Sequence, residues 1–305
     1  MRMNSSVTSF GRHESFALRF GWLTKGVSAL AQDPRAFERE DATVTFGVGK
    51  NMVSAIRYWL QAAQVFERQA DRSFANTPIG EVIFQSDGDP FLEDEGTIWL
   101  LHWLLATNPT GATSIYWFFN HFHKPEFTGA EVASGLRDFV KQNVEQTIAA
   151  ATIKSDATLL QRMYVRSAGN GRVAIEEALD SPLALLNLQE RLDSKSFRAL
   201  PADRDDLPLS VFAFAVCELM AYAERKQLTI DYLMYSDLEH CAPGAVFRLT
   251  ENGLLKKLEQ MCIAFPTEFR IDQTAGVHQL YQLAEIEPME LLRTYYAKSL
   301  GVEAA

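Results

Sequence analysis

The sequence predicts a mainly α-helical fold, with a winged helix-turn-helix domain at the N-terminus and a helical C-terminal domain. Three observations predict it. Apolar residues recur at helical spacing through most of the chain, a glycine-containing turn introduces a helix with a basic polar side, and a hairpin pattern follows that helix. Of the 305 residues, 47% are hydrophobic and 22% are charged, which is typical of globular proteins with a sizeable core.

The helix-turn-helix is expected from two helices near the N-terminus. Apolar residues three or four positions apart predict a helix over residues 16–31, which Asp33 and Pro34 end. A second helix is expected over about residues 51–66, after a turn whose glycines permit tight curvature. Its polar side carries Lys50, Asn51, Ser54 and Arg57. Side chains of these types contact phosphate oxygens and base edges in the major groove.

A hairpin over residues 65–68 and 72–75 is expected to form the wing, and Thr77 is expected to cap the next helix. A similar order recurs late in the chain, where residues 246–250 are expected to form a strand and Thr250 to cap the helix that follows. This similarity suggests an internal duplication and a second, degenerate winged-helix element, which lacks a basic recognition helix.

Changes in composition along the chain predict three segments. These are a winged-helix-like DNA-binding domain at residues 1–96, a helical middle segment at 97–165 and a helical C-terminal domain at 173–305. The polar stretch at residues 166–172 is the expected linker between the last two segments.

Charge is distributed unevenly over the chain. It holds 29 basic and 39 acidic residues, and a net charge of −10 argues against a protein that coats nucleic acid or an anionic membrane through bulk charge. Residues 1–60 nevertheless hold eight basic and five acidic residues, whereas residues 81–95 hold six acidic and no basic ones. Contact with double-stranded DNA is therefore expected from a local patch on the N-terminal segment.

Cysteine usage and hydropathy predict a cytoplasmic protein with no membrane partner. The three cysteines, Cys217, Cys241 and Cys262, match no C-x-x-C pattern, as is common in a reducing compartment. The N-terminus lacks the apolar run of a signal peptide, and the most apolar stretch, residues 98–106, is too short to span a bilayer.

A cluster of ionisable residues precedes the first predicted helix. Glu14 or Ser15 would cap that helix, which would place Arg12 and His13 at its positive end, where phosphate is attracted. His13 and Glu14 are candidate catalytic residues, because imidazole and carboxylate groups transfer protons. The alternative is a capped helix start with solvated charges. The candidate DNA-binding residues are Arg12, Arg19, Lys25, Lys50, Asn51, Ser54 and Arg57.

A second candidate site lies in the acidic stretch at residues 87–95, which holds five carboxylates. Asp87, Asp89 and Asp94 are candidate magnesium ligands and catalytic residues, because hard cations take oxygen ligands and a bound metal activates water against a phosphodiester. The alternative is that these acids lie near the positive end of the buried helix that follows. His102 within that helix is expected to be a core residue.

Four segments of the chain resemble one bacterial family. They are FGRHESF at residues 10–16, GWLTKG at 21–26, GVGKNM at 47–52 and GDPFLED at 88–94. These strings are similar to those of the SspB-like family, a component of bacterial single-strand DNA phosphorothioation systems that was long described only as a domain of unknown function.

This resemblance implies an endonuclease that nicks DNA so that sulfur can replace a non-bridging oxygen of the backbone. It also implies three partners, namely a cysteine desulfurase, an ATPase and an ATP pyrophosphatase-like enzyme, and a role in phage defence. The candidate catalytic and phosphate-binding residues are assigned from their charges and spacing, and not from the resemblance. Cations such as Arg12, Lys25 and Lys50 would neutralise phosphate and His13 would move protons, and we expect them to meet the three aspartates in one cleft.

Two other functions fit the same sequence. A non-catalytic winged-helix subunit would bind DNA, select sites and recruit the sulfur-transfer machinery. A protein-interaction scaffold would fit the acidic overall charge. Salt-dependent DNA binding separates the scaffold from the other two functions, and relaxation of supercoiled plasmid separates the nickase from the non-catalytic subunit.

Overall fold

The computed structural model describes residues 1–167, 181–274 and 277–299, and the expected linker lies outside the described residues from position 168 onward. The described chain is mainly helical, as predicted, with three small antiparallel sheets. The helices are α1 (Trp22–Gln32), α2 (Ala42–Thr45), α3 (Lys50–Ala62), α4 (Pro78–Phe84), α5 (Glu95–Ala106), α6 (Thr113–His121), α7 (Gly129–Asn143), α8 (Ala150–Tyr164), α9 (Leu209–Ala223), α10 (Ile230–Met234), α11 (Pro243–Val246), α12 (Glu251–Ala264) and α13 (Pro288–Ser299).

The described strands are short and pair in hairpins or three-stranded sheets. They are β1 (Phe66–Arg68), β2 (Phe74–Asn76), β3 (Glu126–Thr128), β4 (Glu190–Arg191), β5 (Ser196–Arg198), β6 (Gln227–Thr229), β7 (Phe269–Thr274) and β8 (Val277–Gln282). The sheet orders are β1-β2, β3-β5-β4 and β6-β8-β7, with every pair antiparallel.

The first helix begins later in the chain than predicted. Helix α1 begins at Trp22 rather than at residue 16, after Gly21 with a φ of 75°. The preceding segment is irregular, and Gly11, Glu14 and Ser15 have positive φ. Its polar backbone groups bond to side chains elsewhere in the chain, so residues 16–20 form a loop that buries Leu18 and leaves Phe20 exposed.

The second predicted helix and the hairpin are present with small shifts. Helix α3 covers Lys50–Ala62 and follows a turn in which Gly47 has a φ of 58°, a region that favours glycine. A 3-10 turn and the one-turn helix α2 lie between α1 and α3. In the hairpin, Phe66 pairs with Asn76 and Arg68 with Phe74. Thr77 caps α4 by accepting a hydrogen bond from the Gly80 N–H.

Repetition is visible in the structure, but not where the sequence suggested it. The two three-stranded sheets have the same strand order, with a single strand before the helices and a hairpin after them. Thr128 caps α7 directly after β3, and Thr229 caps α10 directly after β6. The element that repeats is therefore a strand, a threonine cap and a helix, followed later by a hairpin.

The strand expected over residues 246–250 is wrong. Helix α11 ends at Val246, and Arg248 has a φ of 49°. The buried Arg248 guanidinium donates to the carbonyl oxygens of Ala199, Phe118 and Phe122. These bonds turn the backbone inward, which an extended strand would not allow. The expected cap is confirmed, since the Gly253 N–H donates to Thr250 Oγ1 at the start of α12.

One contiguous hydrophobic core joins the three predicted segments, whose boundaries stay predictions. Helix α5 is buried on every side except at its first residue. Within it, His102 Nε2 bonds to the Val246 carbonyl oxygen at 2.8 Å, and Nδ1 lies 3.0 Å from the Tyr164 hydroxyl. Burial lowers the pKa of His102 to about 3, so this core histidine is neutral. No helix in the described ranges is long and apolar enough to cross a membrane.

Candidate nucleic-acid interface

The irregular segment before α1 is anchored on α8 by one buried carboxylate. Asp156 Oδ1 accepts hydrogen bonds from the Gly11 N–H at 3.0 Å and from His13 Nε2 at 2.8 Å. His13 and Asp156 side chains are each 1% exposed. The Arg162 guanidinium on the same helix donates to the Ser15 carbonyl oxygen at 2.9 Å. The loop at residues 11–16 is therefore held in a single conformation against α8.

Both ring nitrogens of His13 have a partner. Its Nδ1 accepts a hydrogen bond from the Ser15 N–H at 3.0 Å, and its Nε2 faces Asp156. The expected position of His13 at a helix N-terminus is wrong, because no helix starts here. His13 is buried and positions the loop residues on either side of it.

Two consecutive residues of this loop are held in the left-handed region. Glu14 has a φ of 51° and Ser15 a φ of 65°. Such a conformation costs a non-glycine residue on the order of 1 kcal/mol, and it persists only where surrounding contacts enforce it. Here the enforcing contacts are the bonds from Ser15 to His13 and Arg162, together with a bond from Trp59 Nε1 on α3 to the Phe16 carbonyl oxygen. Strain of this kind clusters at ligand-binding sites.

The loop, helix α3 and strand β1 enclose a cavity of about 370 Å³. Its lining includes Arg12 and Glu14 from the loop, Ser54, Arg57 and Tyr58 from α3, and Arg68 from β1. Three guanidinium groups from three separate elements thus border one cavity of a protein whose net charge is −10.

Two of these arginines share one carboxylate. Glu38 Oε1 accepts from Arg57 at 3.4 Å and from Arg68 at 3.1 Å, and all three side chains are partly exposed. The cavity's three guanidinium groups face two carboxylates, Glu14 in the lining and Glu38 beside it, so one positive charge is left over. Burial raises the pKa of Tyr58, and the nearby Asp156 adds to this rise, so the phenol stays protonated.

The remaining candidate DNA-binding residues lie outside the cavity lining. Arg19 stacks over the rings of Phe16 and Trp22, and Lys25 donates to the Phe46 carbonyl oxygen at 3.1 Å. Lys50 and Asn51 are exposed in the first turn of α3, on the same side as Ser54 and Arg57. Of the seven candidates, Arg12, Ser54 and Arg57 come together, and the cavity also brings Glu14 beside them.

The acidic loop is organised by its own backbone. Asp89 is 8% exposed and accepts from the Glu93 and Asp94 N–H groups at 2.9 and 3.0 Å. Asp94 caps α5 through the Gly96 N–H and accepts from the Tyr295 hydroxyl. Asp87 is exposed. In the described part of the chain, no three His, Cys, Asp or Glu side chains group so that they could hold a metal ion. The expected magnesium site at Asp87, Asp89 and Asp94 stays a prediction, and these aspartates are not among the residues that line the cavity beside Arg12.

The family model described as "Protein of unknown function (DUF4007)" matches residues 10–296. The chain belongs to the DUF4007 family. Two solved structures are similar to it, a "Magnesium ion-bound SspB crystal structure" with a TM-score of 0.84 and an "SspB crystal structure" with a TM-score of 0.83. Each of these structures is 28% identical in sequence to this chain. The match covers 99% of this chain and 89% of the SspB chain. The expected resemblance to the SspB-like family is therefore confirmed, and no curated protein matches the chain.

Three residues that organise the site in this DUF4007 protein escaped prediction. Asp156 lies 143 positions from His13, and no local pattern marks the pair. Glu38 lies in a 3-10 turn among other charges, which resembles an ordinary solvated surface. Arg68 could have been found, because it lies on the first strand of the hairpin that was expected to follow α3.

Proposed function

We propose that this chain is the DNA-binding component of a bacterial single-strand DNA phosphorothioation system, and that its arginine-lined cavity holds phosphates of the DNA backbone. The similarity to SspB over nearly the whole chain supports membership of such a system. One observation carries the DNA contact: Arg12, Arg57 and Arg68 converge on one cavity from a loop, a helix and a hairpin.

The chemistry of these side chains suits a phosphodiester. Guanidinium groups present several N–H donors in a planar fork and stay charged at every physiological pH, so they pair with phosphate oxygens. Arg12 is presented by a strained loop that is fixed on α8, which lowers the entropy lost when it binds. Contacts of this kind orient the protein on DNA without reading the base sequence.

The order α1, α2, α3, β1 and β2 is compatible with the predicted winged helix-turn-helix, and we infer that α3 would be its recognition helix. Lys50 and Asn51 at the start of α3 would contact phosphates or base edges, and the hairpin would act as the wing beside the backbone. Arg57 on α3 and Arg68 on the hairpin both pair with Glu38, so one carboxylate lies between the helix and the wing.

Nicking is the second candidate function, and the magnesium-bound SspB neighbour favours it. Cleavage of a phosphodiester needs charge stabilisation on the phosphoryl oxygens and a group that accepts a proton from the attacking water. The three arginines would supply the first. Glu14 is the predicted catalytic carboxylate that lines the cavity, and it would supply the second. His13 would act only by positioning Arg12 and Glu14.

Within such a system, the nicked or bound DNA would pass to the sulfur-transfer enzymes. We propose a cysteine desulfurase, an ATPase and an ATP pyrophosphatase-like enzyme as partners, and phage defence as the biological role. The rationale is the family resemblance alone.

Two experiments test these functions. Purified protein is titrated against a labelled duplex at low salt, together with Arg57→Gln and, as a control, Arg293→Gln, which removes a similarly exposed arginine on α13. We expect the wild type and the control to bind and Arg57→Gln to bind more weakly. Absence of binding by the wild type would favour the protein-interaction scaffold.

The second experiment measures relaxation of supercoiled plasmid by the purified protein with and without magnesium. Relaxation by the wild type that is lost in Glu14→Gln would support nicking.

A further inference from the structure

A second cavity, of about 380 Å³, lies on the other side of the strained loop. It is bordered by Ser15 and by one face of α8, which contributes Lys154, Ser155, Thr158 and Arg162. Glu14 lines the arginine cavity and Ser15 lines this one, and adjacent Cα atoms are about 3.8 Å apart. The two cavities are therefore separated by the thickness of a single loop.

The surface of this second cavity is mostly apolar, and cationic and hydroxyl side chains also border it. Among its described lining residues there are two cations and three hydroxyl side chains, and none of them is a carboxylate. Lys154 and Arg162 are exposed and form no ion pair with any residue in the described ranges. Lys154, Thr158 and Arg162 are spaced by four residues, so they form one row along α8.

Among the described residues, α3 and α8 each precede a hairpin. Helix α3 is the last helix before hairpin β1-β2, and α8 is the last described α-helix before hairpin β4-β5. Helix α12 has the same position before β7-β8 but a different surface, since its Lys256 pairs with Asp205 and its Ile263 is 79% exposed. Of these three helices, α3 and α8 border the loop at residues 11–16 with basic side chains. Arg57 on α3 shares Glu38 with Arg68, whereas Lys154 and Arg162 on α8 form no ion pair with any described residue.

We propose that the cavity between Ser15 and α8 is a second phosphate-binding site for the same DNA. This inference rests on the proposed function and extends it. The backbone would be held on both sides of the loop, by guanidinium groups in the arginine cavity and by Lys154, Arg162 and the Ser155 hydroxyl in this one. Ser15 Oγ and Ser155 Oγ, on two residues that border the cavity, lie 3.3 Å apart.

The test uses the salt dependence of DNA binding by the full chain. The primary variant is Lys154→Gln, because Arg162 also supports Ser15 and its loss would disturb the loop. Lys226→Gln is the control, since it removes an equally exposed lysine near β6. We expect Lys154→Gln to weaken binding about threefold at low salt and to lower the slope of log affinity against log salt by about 0.9. Lys154→Arg keeps the charge and is expected to bind as the wild type does.

The outcomes separate this inference from the proposed function. If Arg57→Gln weakens binding while Lys154→Gln behaves like Lys226→Gln, the proposal of a second site is wrong. The proposal that the arginine cavity binds DNA is then retained. If Lys154→Arg loses as much affinity as Lys154→Gln, the loss does not come from charge and the second site is also wrong. If the wild type binds no DNA at low salt, both proposals fail together.

Discussion

His13 Nε2 and Asp156 Oδ1 lie 2.8 Å apart, and both side chains are buried almost completely. This contact joins residues 143 positions apart and fixes the loop that borders both basic cavities. A histidine that looked catalytic in the sequence thus has a structural position, and the residues that flank it face the cavities.

We expect His13→Ala to lower the free energy of unfolding by about 2–3 kcal/mol, because it leaves a buried carboxylate with one fewer donor and removes the acceptor of the Ser15 N–H. Denaturant unfolding measures the change. His123→Ala, which removes an exposed imidazole, is the control. A His13→Ala protein of unchanged stability that fails only in plasmid nicking would show that His13 acts in the chemistry.

Stability should fall as the pH drops below about 6.5. Burial lowers the pKa of His102 to about 3 and that of His121 to about 4, so the unfolded chain binds more protons than the folded one between these values and 6.5. The free energy of unfolding therefore rises with pH through this window, and His102 alone contributes on the order of 4 kcal/mol. His102→Gln should flatten the profile measured from pH 6.5 downward. An unchanged profile would contradict a neutral buried His102.

Glu38→Gln should strengthen DNA binding. The substitution removes the one carboxylate that is shared by Arg57 and Arg68, so both guanidinium groups become free to pair with phosphate. The cost in stability should stay below about 1 kcal/mol, because these are partly exposed ion pairs. Affinity for a labelled duplex is the measurement. Weaker binding would mean that Glu38 orients the arginines instead of competing for them.

The aspartates of the acidic loop should differ in their effect on stability. Asp94→Ala removes the N-cap of α5 and an acceptor of the Tyr295 hydroxyl, and should cost about 1–2 kcal/mol. Asp87→Ala removes an exposed side chain and should change stability by less than about 0.5 kcal/mol. Thermal unfolding with and without magnesium measures both. A rise in melting temperature with magnesium that Asp87→Ala abolishes would support the predicted metal site.

Local signals in the sequence predicted much of the fold. The apolar face of α3, the glycine turn before it and the threonine caps at Thr77 and Thr250 depend on neighbouring residues, and all are present. The start of α1 was not predictable in this way, because the Phe16 and Leu18 backbone is held by Trp59 and Met163 from distant helices. An apolar loop and an amphipathic helix can share the same spacing.

The candidate site could be predicted only where its residues lie close together in the sequence. Ser54 and Arg57 lie three residues apart on one helix, so helical periodicity alone places them together. Arg12 joins them because its neighbours Gly11 and His13 bond to Asp156, a tertiary contact that periodicity does not encode. The acidic loop could not be assigned from composition, because a run of carboxylates has the same composition whether it binds a metal or caps its own backbone.

The central claim is that Arg12, Arg57 and Arg68 hold DNA phosphates, and counterion release tests it most directly. Affinity for one duplex is measured over a series of salt concentrations for the wild type and for a protein carrying Arg12→Gln, Arg57→Gln and Arg68→Gln. Each lost phosphate contact lowers the slope by about 0.9, so we expect the slope of the triple variant to be smaller by roughly 3. A triple variant with the slope and affinity of the wild type would contradict the claim.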